Sequence, residues 1–214
     1  MEIPWHHRRP APHGLLFLAI FSAMFTEIAI YTIDEPAARL LAIYEPWPWW
    51  DQVLSAIEWA ILLPVHKLAF AGFLVAGMLT TMIVGRWRIH TPEWMLVAGT
   101  YVACLVTTNP LKDLFGRLRP PQWLGREGSS FWWVDGVAFP SGHVSLFGSV
   151  VIPLIVLLPA GRAYFAKIAL ALVLAFVAAA RIGVNAHFIS DTTSALTLVA
   201  LWTWLVGLAV RPLP

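Results

Sequence analysis

Residues 164–210 decide the fold of this chain. They hold two long apolar runs, YFAKIALALVLAFVAAARIG at 164–183 and FISDTTSALTLVALWTWLVGLAV at 188–210. A helix needs about 20 mostly apolar residues to cross roughly 30 Å of hydrocarbon, and each run has this length. Arg181 and His187 lie where the two runs meet. The pattern predicts two membrane helices joined by a short turn that carries ionisable side chains.

The remaining sequence contains further apolar runs of similar length. Four qualify as spans, at about 14–33, 66–85, 93–110 and 143–159. A seventh apolar piece, about 47–63, is rich in tryptophan and also carries acidic side chains, which favours an amphipathic helix at the membrane interface.

The composition agrees with a membrane protein. Hydrophobic residues make up 59% of the 214 residues and charged residues only 12%, whereas soluble domains carry about 25% charged residues. We therefore predict an all-α polytopic membrane protein with six transmembrane helices and an additional interfacial helix. No internal repeat or linker divides the chain, so residues 1–214 are interpreted as one domain. The net charge of +2 gives no reason to expect nucleic acid, and the single Cys104 excludes an internal disulfide.

Positive charge predicts the orientation. With six spans both termini lie on one side, and every connection on that side is basic: Arg8, Arg9, Arg86, Arg88, Arg162, Lys167 and Arg211. Basic connections mark the cytoplasmic side. The connection 111–142 lies on the outer side and is nevertheless basic, with Lys112, Arg117, Arg119 and Arg126. Phosphate binding would explain this exception.

Three clusters at the predicted outer helix ends hold most of the ionisable residues found there. They are Lys112 to Arg119-Pro120, Pro140-Ser141-Gly142-His143, and Arg181 to His187 and Asp191. Cations that share one pocket repel each other unless an anion lies between them, and the planar fork of arginine suits phosphate. A single such cation would instead be interpreted as a side chain that reaches the headgroups.

The second cluster has the features of a helix start. Ser141 is a preferred N-cap residue, the free N–H groups of a first helical turn bind anions, and Gly142 lets a ligand approach the backbone. The tetrapeptide by itself fits an ordinary helix cap equally well.

His187 and Asp191 are four residues apart, so they share one helix face. A carboxylate that holds one ring nitrogen leaves the other free to attack phosphorus. A metal pair is the rival interpretation, but two ligands do not make a zinc site and a metal would add positive charge to a basic site. His143 is a candidate acid for the departing oxygen. His66 is interpreted as structural, and the role of Glu27 in the first span is left open.

These clusters resemble the signature of the type 2 phosphatidic acid phosphatase superfamily: a lysine and, after six residues, Arg-Pro; then Pro-Ser-Gly-His; then Ser-Arg, His and Asp. The matches are Lys112 with Arg119-Pro120, then Pro140-Ser141-Gly142-His143, then Arg181, His187 and Asp191. The chain departs from the pattern at Ala180, where the family usually has serine.

The resemblance implies a lipid phosphatase that needs neither a cofactor nor a metal. His187 would form a phosphohistidine, Asp191 would orient it, and His143 would protonate the leaving oxygen. The phosphoryl oxygens would be held by Lys112, Arg119, Ser141, Gly142 and Arg181. The expected location is a bacterial inner membrane, with both termini cytoplasmic and the site facing the periplasm.

The substrate is expected to be a membrane lipid phosphate: undecaprenyl diphosphate, lipid A phosphate or a glycerophospholipid phosphate. Two alternatives stay open, a phosphotransferase that passes the phosphoryl group to another lipid or sugar, and a non-catalytic protein that binds lipid phosphates.

Overall fold

The structure is a computed structural model that describes residues 12–44, 49–60, 67–126, 130–159, 161 and 163–210. All regular structure within these ranges is helical. The helices in chain order are α1 (Pro12–Thr32), α2 (Asp34–Ile43), α3 (Trp49–Ala60), α4 (Lys67–Ile83), a 3₁₀ helix (Gly85–His90), α5 (Thr91–Phe115), α6 (Pro120–Leu124), α7 (Gly142–Leu157), α8 (Tyr164–Gly183) and α9 (Ile189–Ala209). The predicted all-α fold is confirmed for these residues.

Four helical stretches among the described residues are long and apolar enough to cross a membrane: His13–Thr32, Gly85–Leu124, Tyr164–Gly183 and Ile189–Ala209. The chain is therefore a helical membrane protein. The other two predicted spans, 66–85 and 143–159, correspond to the shorter apolar helices Lys67–Ile83 and Gly142–Leu157. These have 17 and 16 residues. At about 1.5 Å per residue each measures roughly 24–26 Å, so the count of six stays a prediction.

The first and last helices pack antiparallel along their length. Two hydrogen bonds between hydroxyl groups join them: Oγ of Ser22 lies 2.9 Å from Oγ1 of Thr197, and Oγ1 of Thr26 lies 2.8 Å from Oγ1 of Thr193. Hydroxyl hydrogen bonds of this kind hold helices together where no water competes. Glu27, which also lies on α1, has an exposed side chain and is not part of the buried core between the helices.

The helix core lies between α5, α7, α8 and α9. Its fully buried side chains include Tyr101, Cys104, Phe147, Val177 and Val199. Cys104 thus occupies the core position expected of a lone apolar cysteine. On α7, a Cβ at Gly148 would lie 3.2 Å from a methyl of Val199, so glycine permits the close approach of α7 and α9.

The structure corrects one predicted boundary. The third span was expected to end near Pro110, but α5 continues to Phe115, because proline removes a single donor and the following residues resume the helix. Gly116, with φ +52°, ends α5 in the left-handed conformation, and its N–H bonds the Lys112 carbonyl at 2.8 Å. Lys112 consequently lies on the last turn of a helix.

Two short helices, α2 and α6, lie in segments that were interpreted only as connections. The predicted interfacial helix at 47–63 contains α3, whose described residues run from Trp49 to Ala60. Other predictions fall outside the described residues, namely those for Arg8, Arg9, His66, Arg162 and Arg211.

Candidate active site

The three sequence clusters meet at one end of the bundle. The N–H of Ser141, just before α7, donates to the carbonyl of Asp191 on α9 at 2.9 Å. A Cβ on Gly142 would lie 3.4 Å from Nζ of Lys112, so the end of α5 faces the start of α7. The 3₁₀ helix with Arg86 and Arg88 precedes α5 and therefore lies at its opposite end.

His187 and Asp191 form a buried couple. Nδ1 of His187 and Oδ2 of Asp191 are 3.3 Å apart, and the side chains are 2% and 0% exposed. The same carboxylate oxygen accepts the backbone N–H of Phe188 at 2.9 Å, which ties it to the first turn of α9. A carboxylate on Nδ1 assigns the proton to that nitrogen and leaves Nε2 with a free lone pair. Nε2 is therefore the atom that can act as a nucleophile.

Burial keeps the imidazole neutral. Removal from water lowers the pKa of His187 below its ordinary 6.5, and the nearby cations Arg181 and Lys112 add to this effect. The hydrogen bond and the charge of Asp191 act in the opposite direction but do not outweigh burial. A neutral ring is the form that can attack phosphorus.

The predicted cations surround this couple. Arg119, Arg181 and Asp191 all lie close enough to Lys112 to interact with it electrostatically, and Lys67 joins them from α4. His143, at the start of α7, has the cations Arg181, Lys67 and Lys112 and the imidazole of His187 as neighbours. The structure thus brings every predicted site residue to one end of the bundle, and it adds Lys67. Four cations at one place favour an anionic ligand.

Several buried polar atoms at this end have no hydrogen-bond partner among the described residues, and they include Nε of Arg119 and Oγ of Ser141. Ser141 occupies the N-cap position of α7, yet its side chain makes no capping bond. The predicted N-cap position of Ser141 is therefore confirmed, without a capping bond from its side chain. A buried donor that is left unpaired is costly, and a bound ligand is one way to satisfy it.

The sequence did not single out Arg117 as a site residue, yet it binds the carboxylate of Asp191. Its Nη1 donates to Oδ1 of Asp191 and to Oγ of Ser190, both at 2.5 Å, and its Nη2 donates to Oδ2 of Asp34 at 2.6 Å. Arg117 is 1% exposed and Asp34 is also fully buried. Carboxylates therefore neutralise Arg117, which corrects the expectation that phosphate explains every cation of the connection 111–142.

Aromatic rings enclose this guanidinium. Its Cζ lies 4.3 Å from the ring centre of Phe188 and 4.5 Å from that of Trp132, with Phe131 and Phe139 at 5.7 and 5.8 Å. These rings exclude water and interact favourably with the cation. The aromatic cluster in the outer connection was the sequence feature that could have indicated a buried Arg117. Tryptophan near a membrane surface is, however, more often an interfacial anchor.

Clusters of metal ligands are absent from the described residues: no three His, Cys, Asp or Glu side chains are placed to hold an ion. Fold and site together define a helical membrane protein with a histidine–carboxylate couple beside clustered cations.

Comparisons with known proteins assign the family. The family model of the PAP2 superfamily matches residues 93–212, more than half of the chain. The chain belongs to the PAP2 superfamily, which confirms the resemblance of its three motifs. The matched region contains Lys112, Arg119, His143, His187 and Asp191, and it does not contain Asp34.

A solved structure is similar over nearly the whole chain. It is the first transmembrane PAP2-type phosphatidylglycerolphosphate phosphatase from Bacillus subtilis, with a TM-score of 0.56 and 21% sequence identity. The match covers 91% of this chain and 93% of the other. At this identity the similarity concerns the fold. A comparison with curated proteins finds no significant match.

Proposed function

We propose that this protein is a lipid phosphatase that works through a phosphohistidine on His187. One observation carries the proposal: a buried His187–Asp191 couple at the bundle end where Lys112, Arg119 and Arg181 also lie. Membership of the PAP2 superfamily supports a phosphatase, and the membrane fold favours a substrate that reaches the site from the bilayer.

The first half of the reaction forms a bond between Nε2 of His187 and phosphorus. The bond from phosphorus to the leaving lipid oxygen breaks, and His143 supplies the proton that this oxygen takes. Asp191 stabilises the positive charge that develops on the ring. Lys112, Arg119 and Arg181, together with the first-turn N–H groups of α7, hold the phosphoryl oxygens as their charge grows.

The second half returns the enzyme to its starting state. His143, now neutral, accepts a proton from a water molecule as the water oxygen attacks phosphorus. The P–N bond breaks, inorganic phosphate leaves, and the electron pair returns to Nε2. No metal ion takes part in these steps.

The substrate candidates are undecaprenyl diphosphate, lipid A phosphate and glycerophospholipid phosphates. We further propose six spans, with α4 and α7 as the two shorter ones, and a site at the periplasmic face of a bacterial inner membrane. The basic residues Arg86 and Arg88 at the opposite bundle end support this orientation.

The test is phosphate release by purified protein from these lipids, assayed side by side with excess chelator. We expect activity on at least one lipid and its loss in His187→Ala. His90→Ala is the matched control, because His90 is exposed and precedes α5 at the other end of the bundle. Full activity of His187→Ala, or activity only after divalent metal is restored, would contradict the proposal. Transfer of labelled phosphate to an added lipid or sugar instead of water would identify a phosphotransferase.

A further inference from the structure

A chain of buried polar side chains reaches the His187–Asp191 couple from Asp34, which lies outside the three motifs. It runs from Asp34 through Arg117 and Asp191 to His187. Arg117 contributes one positive charge between two carboxylates, and aromatic rings enclose it. Asp34 belongs to α2 and lies outside the region that the family model matches.

The fork of Arg117 is divided between the two carboxylates. Of the two carboxylate oxygens of Asp191, the guanidinium binds only Oδ1, through Nη1, because Nη2 donates to Oδ2 of Asp34. Oδ2 of Asp191 therefore remains available to His187 and to the N–H of Phe188. Arginine facing one carboxylate alone tends to bind both of its oxygens, which here would compete directly with the His187 ring.

Asp34 is itself held in place from α9. Its Oδ1 accepts the N–H of Ser190 at 3.0 Å, and its Oδ2 accepts the Ser190 hydroxyl. That hydroxyl also accepts from Nη1 of Arg117 at 2.5 Å. Asp34, Arg117 and Ser190 thus form a closed group in which each side chain contacts the other two.

We infer that Asp34 and Arg117 are positioning residues that divide the guanidinium fork so that Asp191 keeps one oxygen for His187. Neither is assigned a contact with the phosphate, since the two side chains bind each other, Ser190 and Asp191. Arg117 acts through Asp191, and Asp34 acts through Arg117. This role rests on the proposed function of His187, and it makes α2 a part of the catalytic apparatus.

The experiment uses the isosteric variant Asp34→Asn in the full-length protein. Glu35→Gln is the matched control: it removes the adjacent carboxylate of the same helix, which is exposed and paired with Arg39 at 3.0 Å. We expect kcat of Asp34→Asn to fall about ten- to a hundredfold, as for other residues that orient a catalytic group, with KM changed less than about twofold because phosphate binding is untouched. Thermal unfolding of each variant in detergent checks that the protein is folded.

The second readout needs no substrate. Nitrogen-15 NMR of histidine-labelled protein, with the His187 signal assigned from His187→Ala, reports which ring nitrogen carries the proton. We expect the Nδ1–H form in the wild type and in Glu35→Gln, and a mixture of both forms in Asp34→Asn.

The results separate this inference from the proposed function. Unchanged tautomer and kcat in a folded Asp34→Asn would overturn the inference while His187 stays the nucleophile. A wild type without phosphatase activity would instead contradict the proposed function, and the NMR comparison would still decide the positioning role. If Asp34→Asn does not fold, Ser190→Ala takes its place, with the same direction of change expected and an unchanged tautomer again counting against the inference.

Discussion

At the scale of residues, the cations of the site differ in the roles proposed for them. Lys112, Arg119 and Arg181 are proposed to bind the phosphate, whereas Arg117 is occupied by two carboxylates. Arginines two residues apart in the same loop therefore have different roles. Arg117 and Arg119 differ in their burial and in their hydrogen-bond partners, and the sequence alone shows neither of these properties.

Arg119→Lys tests the phosphate contact. Lysine keeps the charge but lacks the planar fork, and its Nζ cannot replace the unpaired Nε of Arg119. We expect a loss of about 10²-fold in kcat/KM, the size typical of one preorganised donor. Steady-state assays with the best lipid substrate measure it. Arg126→Lys, an exposed arginine of the same connection, serves as control and should keep wild-type rates. Equal rates in both variants would exclude Arg119 from the phosphate site.

The pH dependence tests the protonation state of His187. The nucleophile must be neutral, so the rate rises with pH through the pKa of His187. Burial places this pKa below 6.5, and the acid limb of kcat/KM should therefore lie below pH 6.5. The profile is measured with a substrate whose own ionisation is followed separately by phosphorus NMR. Asp191→Asn removes an influence that raises the pKa, so it should move the limb to lower pH. A limb above 6.5 that is due to His187 would contradict this account.

At the scale of elements, the connection between α5 and α7 supports Arg117. The backbone N–H groups of Val134 and Gly136 both bond the Gly116 carbonyl, at 2.9 and 3.0 Å, and that of Ala138 bonds the Arg117 carbonyl at 3.0 Å. The two parts of the connection approach closely at Gly136, where a Cβ would lie 2.0 Å from the carbonyl oxygen of Arg117. Only glycine fits there without a backbone shift.

Gly136→Ala is expected to displace this segment and with it the Arg117 side chain. We expect destabilisation of about 1–3 kcal/mol, the typical cost of overpacking, together with loss of activity. Thermal unfolding in detergent and phosphate release measure the two effects. Gly125→Ala is the matched control in the same connection, because its Cβ would lie 3.5 Å from the nearest atom, an ordinary contact. A Gly136→Ala variant as stable and active as Gly125→Ala would show that the loop does not support the site.

The sequence predicted the long apolar helices but not the short helix α2, and the difference has a physical reason. Long apolar runs such as 164–183 and 188–210 predict helices reliably, because a bilayer requires such helices to satisfy the backbone. Asp34–Ile43 was not predicted as a helix, because its residues are of mixed polarity. Tertiary contacts stabilise this helix: Nδ2 of Asn185, for example, donates to the Ala38 carbonyl at 3.4 Å. The partnership of Asp34 with Arg117 joins positions 83 residues apart, and no local pattern encodes it.

At the scale of the whole molecule, the packing of α1 against α9 brings the N-terminal part of the chain to the end of the bundle that holds the candidate site. Their hydroxyl pairs fix the register of the two helices, and α2, which follows α1, then places Asp34 beside Ser190. The family match begins at residue 93, so this contribution lies outside it.

The proposed orientation predicts which connections face outwards. Arg126 follows α6 at the site end, and Arg86 lies on the 3₁₀ helix at the other end; both are exposed. Single cysteines at these positions, in a Cys104→Ser background, can be labelled with a membrane-impermeant maleimide. Intact cells should label Arg126→Cys, and Arg86→Cys should react only after permeabilisation. The opposite pattern would place the site in the cytoplasm.

The most direct test of the central claim is to find the phosphorylated residue. Wild-type protein is mixed with labelled lipid phosphate, quenched in alkali, where phosphohistidine survives, and digested for mass spectrometry. The account predicts phosphate on the peptide that contains His187 in the wild type, and none in His187→Ala. Phosphate release with the label on another residue, or with no covalent intermediate at all, would contradict it.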